Sequence, residues 1–256
     1  PSRTDTNIRF YDDEQIKKLI NVGLLVRNGY RVSQIDKMSN DEISDILNSI
    51  VIKPDVNDQD IIDAMNICMI SYDEKGFTQI IERQILRVGL FSTIVELIYP
   101  FLNNVGFLWS ASKTTPAQEH FVSNIIRQKI ISAVDKISLK GDSTKTIVLL
   151  IPEGEKHELG LLLSSYLAKD LGWRVIYLGL NVPFDNIEGV IKDVNPDILF
   201  TIITVPNENF KADQVIKIKQ MVNLLLYSGF RDKGNRSEED SKFKYIDSPQ
   251  SFIDVL

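Results

Sequence analysis

The sequence predicts a mixed α and α/β protein, with an all-helical first half and a doubly wound parallel sheet after it. Three observations carry this. At 256 residues the chain exceeds one ordinary domain, so two or three hydrophobic cores are expected. Between residues 56 and 138 apolar residues recur at helical spacing, with no strand-like alternation. Beyond residue 145 the period changes. Short apolar runs starting near 146, 173, 197 and 223 alternate with helical stretches, a βα repeat of roughly 25 residues that reads as a parallel sheet.

The first helical face is Ile16, Leu19, Ile20, Gly23 and Leu24, at the i, i+3, i+4, i+7, i+8 spacing of an amphipathic helix over 12–23. Arg27-Asn28-Gly29-Tyr30 is turn chemistry, and Val32-Ser33-Gln34-Ile35 opens a short helix with Ser33 near its cap. Ile43, Ile46, Leu47, Ile50 and Val51 form the next face, closed by Pro54. Helices are then expected over 58–71, 77–98, 100–109 and 116–137. The last opens with Thr115-Pro116-Ala117-Gln118, a capping-box pattern with proline at the first helical position, and buries Phe121, Ile125 and Val134. Four such helices read as a small bundle.

The apolar run 146–151 is the first strand of the sheet and 159–171 the helix that follows, stopped by Gly172. Strands at 173–178, 197–204 and 223–227 alternate with helices at 184–194 and 212–222. The charged stretch 231–244 reads as a surface loop, Tyr245-Ile246 as a final short strand and 251–256 as a last helix.

Hydrophobic residues make up 43% and charged residues 25%, ordinary for a soluble globular chain. No apolar run in the sequence suggests a membrane span and nothing resembles a secretory signal, so a cytoplasmic protein without membrane contact is expected. The single cysteine, Cys68, excludes an intramolecular disulfide. Set among Ile67, Met69 and Ile70, it reads as a buried thiol. A net charge of −6 means that any DNA contact must come from a local patch. The opening at Pro1, directly before Arg3 and Ile8-Arg9-Phe10-Tyr11, leads to the expectation that further residues precede it.

Only two histidines occur, His120 and His157. Glu155-Lys156-His157-Glu158-Leu159-Gly160 lies just beyond the carboxyl end of the first sheet strand, the edge where open α/β sheets bind ligands. One ring nitrogen of His157 can coordinate a metal while Glu155 fixes the other and raises its basicity. Gly160 would let a ligand's tail approach the backbone. Taken alone, the same residues also read as a surface helix cap and a solvated charge. In the helical half, Trp109 is followed by Glu119-His120, near the end of one helix and the start of the next. Alone, these read equally as a core tryptophan and a helix-start acid. No Ser/His/acid spacing suggests a triad and no Gly-x-x-x-x-Gly-Lys loop is present, so an enzyme is not expected.

The spacing Glu155-x-His157-x-x-Gly160 resembles the Asp-x-His-x-x-Gly motif of cobalamin-binding domains, with Glu in place of Asp. Trp109-x9-Glu119-His120 resembles the motif of cobalamin-dependent photoreceptor regulators of the CarH/LitR kind. Arg3 and Ile8-Arg9-Phe10-Tyr11 before an acidic helix start resemble the wing of a MerR-type winged helix. The resemblance implies that His157 is the lower ligand of cobalt and that Trp109, Glu119 and His120 line the upper side. It implies that Arg3 and Arg9 contact DNA phosphate, with Lys17, Lys18 and Arg31 as weaker candidates. Thr201 or Thr204 and Ser228-Gly229 stand nearest the small residues that such domains place beside the nucleotide tail. Ser110 occupies the position where photoreceptor members can place a second histidine ligand, so a bis-histidine photoproduct through that position is impossible.

The expected organisation is a partial MerR-type winged helix over 1–54, a four-helix bundle capping cobalamin over 55–140, and a Rossmann-like cobalamin-binding domain over 141–256. The expected function is a cobalamin-responsive transcription regulator. Adenosylcobalamin or methylcobalamin would be held between bundle and sheet, with sensitivity to light through the adenosyl form. DNA would be bound by the full-length protein, assembled as a dimer or tetramer. The alternatives are a corrinoid carrier for methyl transfer and a regulator that has lost the cofactor.

Overall fold

The computed structural model describes residues 2–3, 7, 9–53, 56–110, 114–138, 145–203, 212–229 and 241–256, with the backbone alone at 2, 10, 48, 52, 107–110 and 212–215. Two units form, Pro1–Ile126 and Arg127–Leu256.

The first unit opens with a two-stranded antiparallel hairpin, β1 (Ser2–Arg3) and β2 (Arg9–Phe10), with Arg3 directly opposite Arg9. Helix α1 (Asp13–Arg27) starts at a capping box: Asp12 accepts from the Gln15 amide at 2.8 Å and Gln15 bonds back to the Asp12 amide. Helix α2 spans Val32–Ile35, the expected residues. The Gln34 side chain caps the Arg31 amide at 2.9 Å, which places Ser33 inside the helix rather than at its cap. Helix α3 (Asn40–Ile52) has its own box, Ser39 with Glu42. Leu24, Leu25, Ile35 and Ile50 form the core of these three helices.

Helices α4 (Asp58–Ile70), α5 (Glu74–Ser92), α6 (Tyr99–Ser110) and α7 (Pro116–Lys136) follow, with a π-helical stretch, Thr93–Ile98, between α5 and α6. The single helix expected over 77–98 is therefore interrupted. Gly89 takes φ 83°, which a side chain would resist, and the Thr93 hydroxyl donates to the Gly89 carbonyl at 2.7 Å. The run Glu74–Gly106 is long and apolar enough to cross a membrane by length and composition, with mean hydropathy 1.7 over 18 residues, contrary to the sequence reading. Part of its apolar surface serves the core: Phe77, Ile81, Ile94, Leu97 and Phe101 are fully buried.

A buried charge ties α1 to α4. Asp60 accepts from Arg27 Nε at 2.9 Å, Asn28 Nδ2 at 2.9 Å and Asn57 Nδ2 at 2.8 Å, and Arg27 also pairs with Asp63. Burial works against the Arg27 charge, but the hydrogen bonds it donates to Asp63 and Asp60 outweigh it and hold the guanidinium pKa above its ordinary value. The start of α7 is capped as its sequence predicts: Gln118 accepts from the Thr115 amide at 2.9 Å and Thr115 from the Gln118 amide at 3.2 Å. Gln118 is buried and also donates to Asp13 in the first turn of α1 at 2.9 Å.

The second unit is a five-stranded parallel sheet in the order β4-β3-β5-β6-β7: β3 (Thr146–Pro152), β4 (Arg174–Val182), β5 (Ile198–Ile203), β6 (Leu224–Gly229) and β7 (Phe243–Ile246). Helices α8 (Leu159–Asp170), α9 (Phe184–Val194), α10 (Ala212–Met221) and α11 (Pro249–Val255) connect and follow the strands. All seven residues of β3 are buried, as a central parallel strand requires. On one sheet face Val148, Leu150, Leu199 and Leu225 pack with Ile187, Ile191 and Ile218. On the other, Phe200 meets Phe252 of α11 at 5.0 Å between ring centres.

Strand β4 runs to Val182 rather than ending near 178, because its register against β3 shifts beside Gly179, at φ 74°. Strand β7 begins at Phe243, inside the charged stretch read as a loop, whose residues 231–240 lie outside the described ones. The strand order places a topological switch point at β3 and β5, whose connections depart in opposite directions.

Candidate functional site

Strand β3 ends at Pro152, and the loop that follows carries the histidine. Glu155 is only 3% exposed. One of its oxygens, Oε1, accepts from the Lys156 amide at 2.7 Å and the His157 amide at 3.1 Å and lies 2.5 Å from His157 Nδ1. An ionised carboxylate can only accept, so this contact is one in which Nδ1 donates. The imidazole is 65% exposed while the carboxylate beneath it is 2% exposed. The contact orients the ring at the carboxyl edge of the sheet. Among the described residues no group of three or more His, Cys, Asp or Glu side chains gathers into a metal cluster. His157 is a candidate metal ligand through Nε2.

Two further features lie at the same edge. Thr201, in β5 opposite Leu150 and Tyr227, is 2% exposed and its hydroxyl has no hydrogen-bond partner. A buried unsatisfied hydroxyl costs about 1–3 kcal/mol, which a polar ligand group would recover. Ser228 and Gly229 end the neighbouring strand β6, opposite Ile202 and Ile203. Gly229 takes φ 105°, closed to most side chains, and its carbonyl accepts from Tyr245 at 2.8 Å. Thr204 lies outside the described residues. Gly160 also meets a packing demand: a Cβ there would sit 2.7 Å from Ile202 Cδ1, between α8 and β5.

The sequence reading missed Glu158. Its Oε2 accepts from Arg127 Nε at 2.8 Å and its Oε1 from Tyr177 hydroxyl at 3.0 Å. Burial first, and then the Glu158 charge and hydrogen bond, push the Tyr177 pKa well above its ordinary value, so the phenol remains a donor. The signal available was an acid beside the histidine; its partners in α7 and β4 are tertiary.

In the helical unit, Glu119 and His120 lie in the first turn of α7 and pair with each other, Nδ1 to Oε2 at 2.7 Å. The His120 side chain is 73% exposed. Trp109 and Ser110 end α6, and their side chains lie outside the described residues. Arg3 and Arg9 are exposed cross-strand partners on the hairpin, so two like charges share one face. A cavity of 750 Å³ among α1, α2, α3 and the end of α4 includes Cys68 in its wall but neither histidine. Cys68 is the buried thiol its setting predicts, with burial pushing its pKa up to about 12.

A helical unit is followed along the chain by a parallel sheet that carries a histidine at its carboxyl edge. Residues 61–132 match the B12 binding domain family, and cobalamin is thereby the cofactor supported for this chain. The chain is 25% identical over 227 residues, 86% of its length, to the HTH-type transcriptional repressor CarH of Myxococcus xanthus, covering 75% of that protein. It is 35% identical over 83 residues to the HTH-type transcriptional repressor CarA of the same organism, a match spanning 32% of this chain and 28% of that one. Among solved structures, the monomethylamine corrinoid protein of Methanosarcina barkeri shares the fold, with TM-score 0.58 and 12% identity over 78% of this chain and 98% of that one.

Proposed function

We propose that this chain is the cobalamin-sensing part of a MerR-type transcription regulator. The observation that carries the reading is the Glu155–His157 pair: an exposed imidazole, held at Nδ1 by a buried carboxylate, leaves the Nε2 side of the ring as the one that would hold cobalt. The orphaned Thr201 hydroxyl and the small residues Ser228 and Gly229 fit a polar tail at the same sheet edge. His157 would hold cobalt from below, with Trp109, Glu119 and His120 serving the upper side. Bound cobalamin would supply a cobalt-linked alkyl group that is sensitive to light in the adenosyl form. Glu155 would orient the His157 ring through its contact at Nδ1.

The regulatory half of the reading rests on the 227-residue similarity to a protein named as an HTH-type repressor. Arg3 and Arg9 on the hairpin would contact DNA phosphate, a positioning contact. Residues 1–54 would belong to the DNA-reading domain, 55–140 to the cobalamin cap and 141–256 to the cobalamin-binding sheet. The regulator would act in the cytoplasm as a dimer or tetramer and catalyse nothing. A corrinoid carrier for methyl transfer is the second reading, favoured by the fold shared with the monomethylamine corrinoid protein.

The test is an absorption titration with adenosylcobalamin in the dark, repeated after illumination and with His157→Ala. A complex whose spectrum shows histidine ligation, lost in the variant, supports cobalamin sensing. A light-dependent change in assembly supports the photoreceptor form, and turnover with a methyl donor and methyltransferase supports the carrier. No binding by the wild-type chain at micromolar concentrations overturns both in favour of a cofactor-free regulator.

A further inference from the structure

The loop that carries His157 is fixed at its far end by a carboxylate that touches neither ring nitrogen of the histidine. Glu158 directly follows His157 and is 15% exposed at its side chain. Each of its oxygens takes a donor from a different element: Oε2 from Arg127 of α7 at 2.8 Å, and Oε1 from Tyr177 of β4 at 3.0 Å. One donor on each oxygen fixes the plane of the carboxylate as well as its position. The main chain of the same residue is also engaged. Its amide donates to the Lys156 carbonyl at 3.1 Å, and its carbonyl accepts the Leu162 amide of α8 at 3.0 Å.

We propose that Glu158 is the positioning residue of His157, holding the histidine loop in its ligand-ready form before cobalamin arrives. This rests on the cobalamin reading above. Glu155 and Glu158 divide the work. Glu155 contacts the ring itself at Nδ1 and orients it. Glu158 acts through the backbone: with its two donors in place, the residue after His157 cannot shift, and the loop from Pro152 has a fixed end to span to. Without them the loop samples other conformations, and binding must order it again. The carboxylate matters because Gln at 158 would lose the charge that faces Arg127 and could meet the Tyr177 hydroxyl only by reversing that hydrogen bond. Tyr177 suits the role because its raised pKa keeps the phenol protonated.

The test uses Glu158→Gln and the milder Tyr177→Phe in the whole chain, with Glu155→Gln for contrast. Two readouts are taken: adenosylcobalamin affinity by absorption, and amide exchange at Lys156 and His157 in the ligand-free chain. The expected result is a loss of about ten-fold in affinity for Glu158→Gln and a smaller loss for Tyr177→Phe. Both should show faster exchange at Lys156 and His157, with thermal unfolding of the sheet unit retained. A structural role alone would lower the unfolding temperature and leave the affinity of the folded chain unmoved. Wild-type affinity and exchange in Tyr177→Phe and Glu158→Gln would overturn the proposal. Should Glu158→Gln fail to fold, Tyr177→Phe decides, since it removes one hydroxyl. Failure of the wild type itself to bind would instead overturn the cobalamin reading, and this proposal with it.

Discussion

Asp60 in the helical unit and Glu155 in the sheet unit are both buried carboxylates, 2% and 3% exposed, and both accept hydrogen bonds from three groups. Their donors differ. Asp60 draws on Arg27 and Asn28, over thirty residues away, and on Asn57 beside it, so its charge is balanced by a guanidinium and joins two helices. Glu155 accepts from the two residues that follow it, two backbone amides and the ring of His157 on one oxygen. Two donors of Asp60 thus come from the end of another helix, while Glu155 bonds to the histidine beside it. The cost of removing each should fall accordingly, on stability in the first case and on ligand affinity in the second.

Replacing Asp60 should break the comparison most visibly. Asp60→Ala strands Arg27, Asn28 and Asn57 and is expected to destabilise the helical unit by about 2 kcal/mol. That lies below the cost for a fully buried pair, because Arg27 is 42% exposed and screened by solvent. Scanning calorimetry should show the helical unit melting earlier and the sheet unit unchanged. Equal shifts in both units would mean that the tie is not local.

Glu155→Gln sharpens the comparison from the other side. It keeps an acceptor for the backbone amides, so unfolding should change by less than about 1 kcal/mol. Loss of the charge behind His157 should lower adenosylcobalamin affinity by about ten-fold. An unchanged affinity with an earlier melting transition would make Glu155 a second Asp60.

The smallest effect at neutral pH belongs to Cys68, whose thiol is raised from 9.0 to about 12 by burial and then by the charge of Asp73. Above its ordinary pKa the unfolded chain loses the thiol proton while the folded one keeps it. Its contribution is therefore constant below pH 9 and lost as pH rises from 9 toward 12. Thiol labelling at pH 8 should be slow in the folded chain and fast once the helical unit unfolds. Prompt labelling of the folded chain would place the thiol at the surface.

What could be read in advance followed sequence distance. The sheet was legible because β3 is apolar from Ile147 to Ile151, β5 is interrupted only by Thr201, and Gly172 stops α8 at the expected place. The Glu155–His157 contact spans two residues, so spacing alone proposed it. The break at Gly89 was not legible, since a lone glycine in a helical pattern is often carried without interruption. Here the Thr93 hydroxyl, four residues on, stabilises the break. The Arg27–Asp60 tie and the grip of Arg127 and Tyr177 on Glu158 were hidden for another reason. Each joins residues from separate helices or strands, and nothing in the local pattern of either partner names the other.

The close approach of Gly160 to Ile202 has a consequence for how such a sequence can drift over time. The two positions share one small volume between α8 and β5, and the atom that a new Cβ would meet is the terminal methyl of the isoleucine. A lineage that shortens residue 202 to valine first gains freedom to place alanine at 160. A lineage that tries the steps in the opposite order must first move that methyl aside. The glycine is thus one half of an exchange of methyl groups, and the order of the two steps decides which histories are open to this sheet.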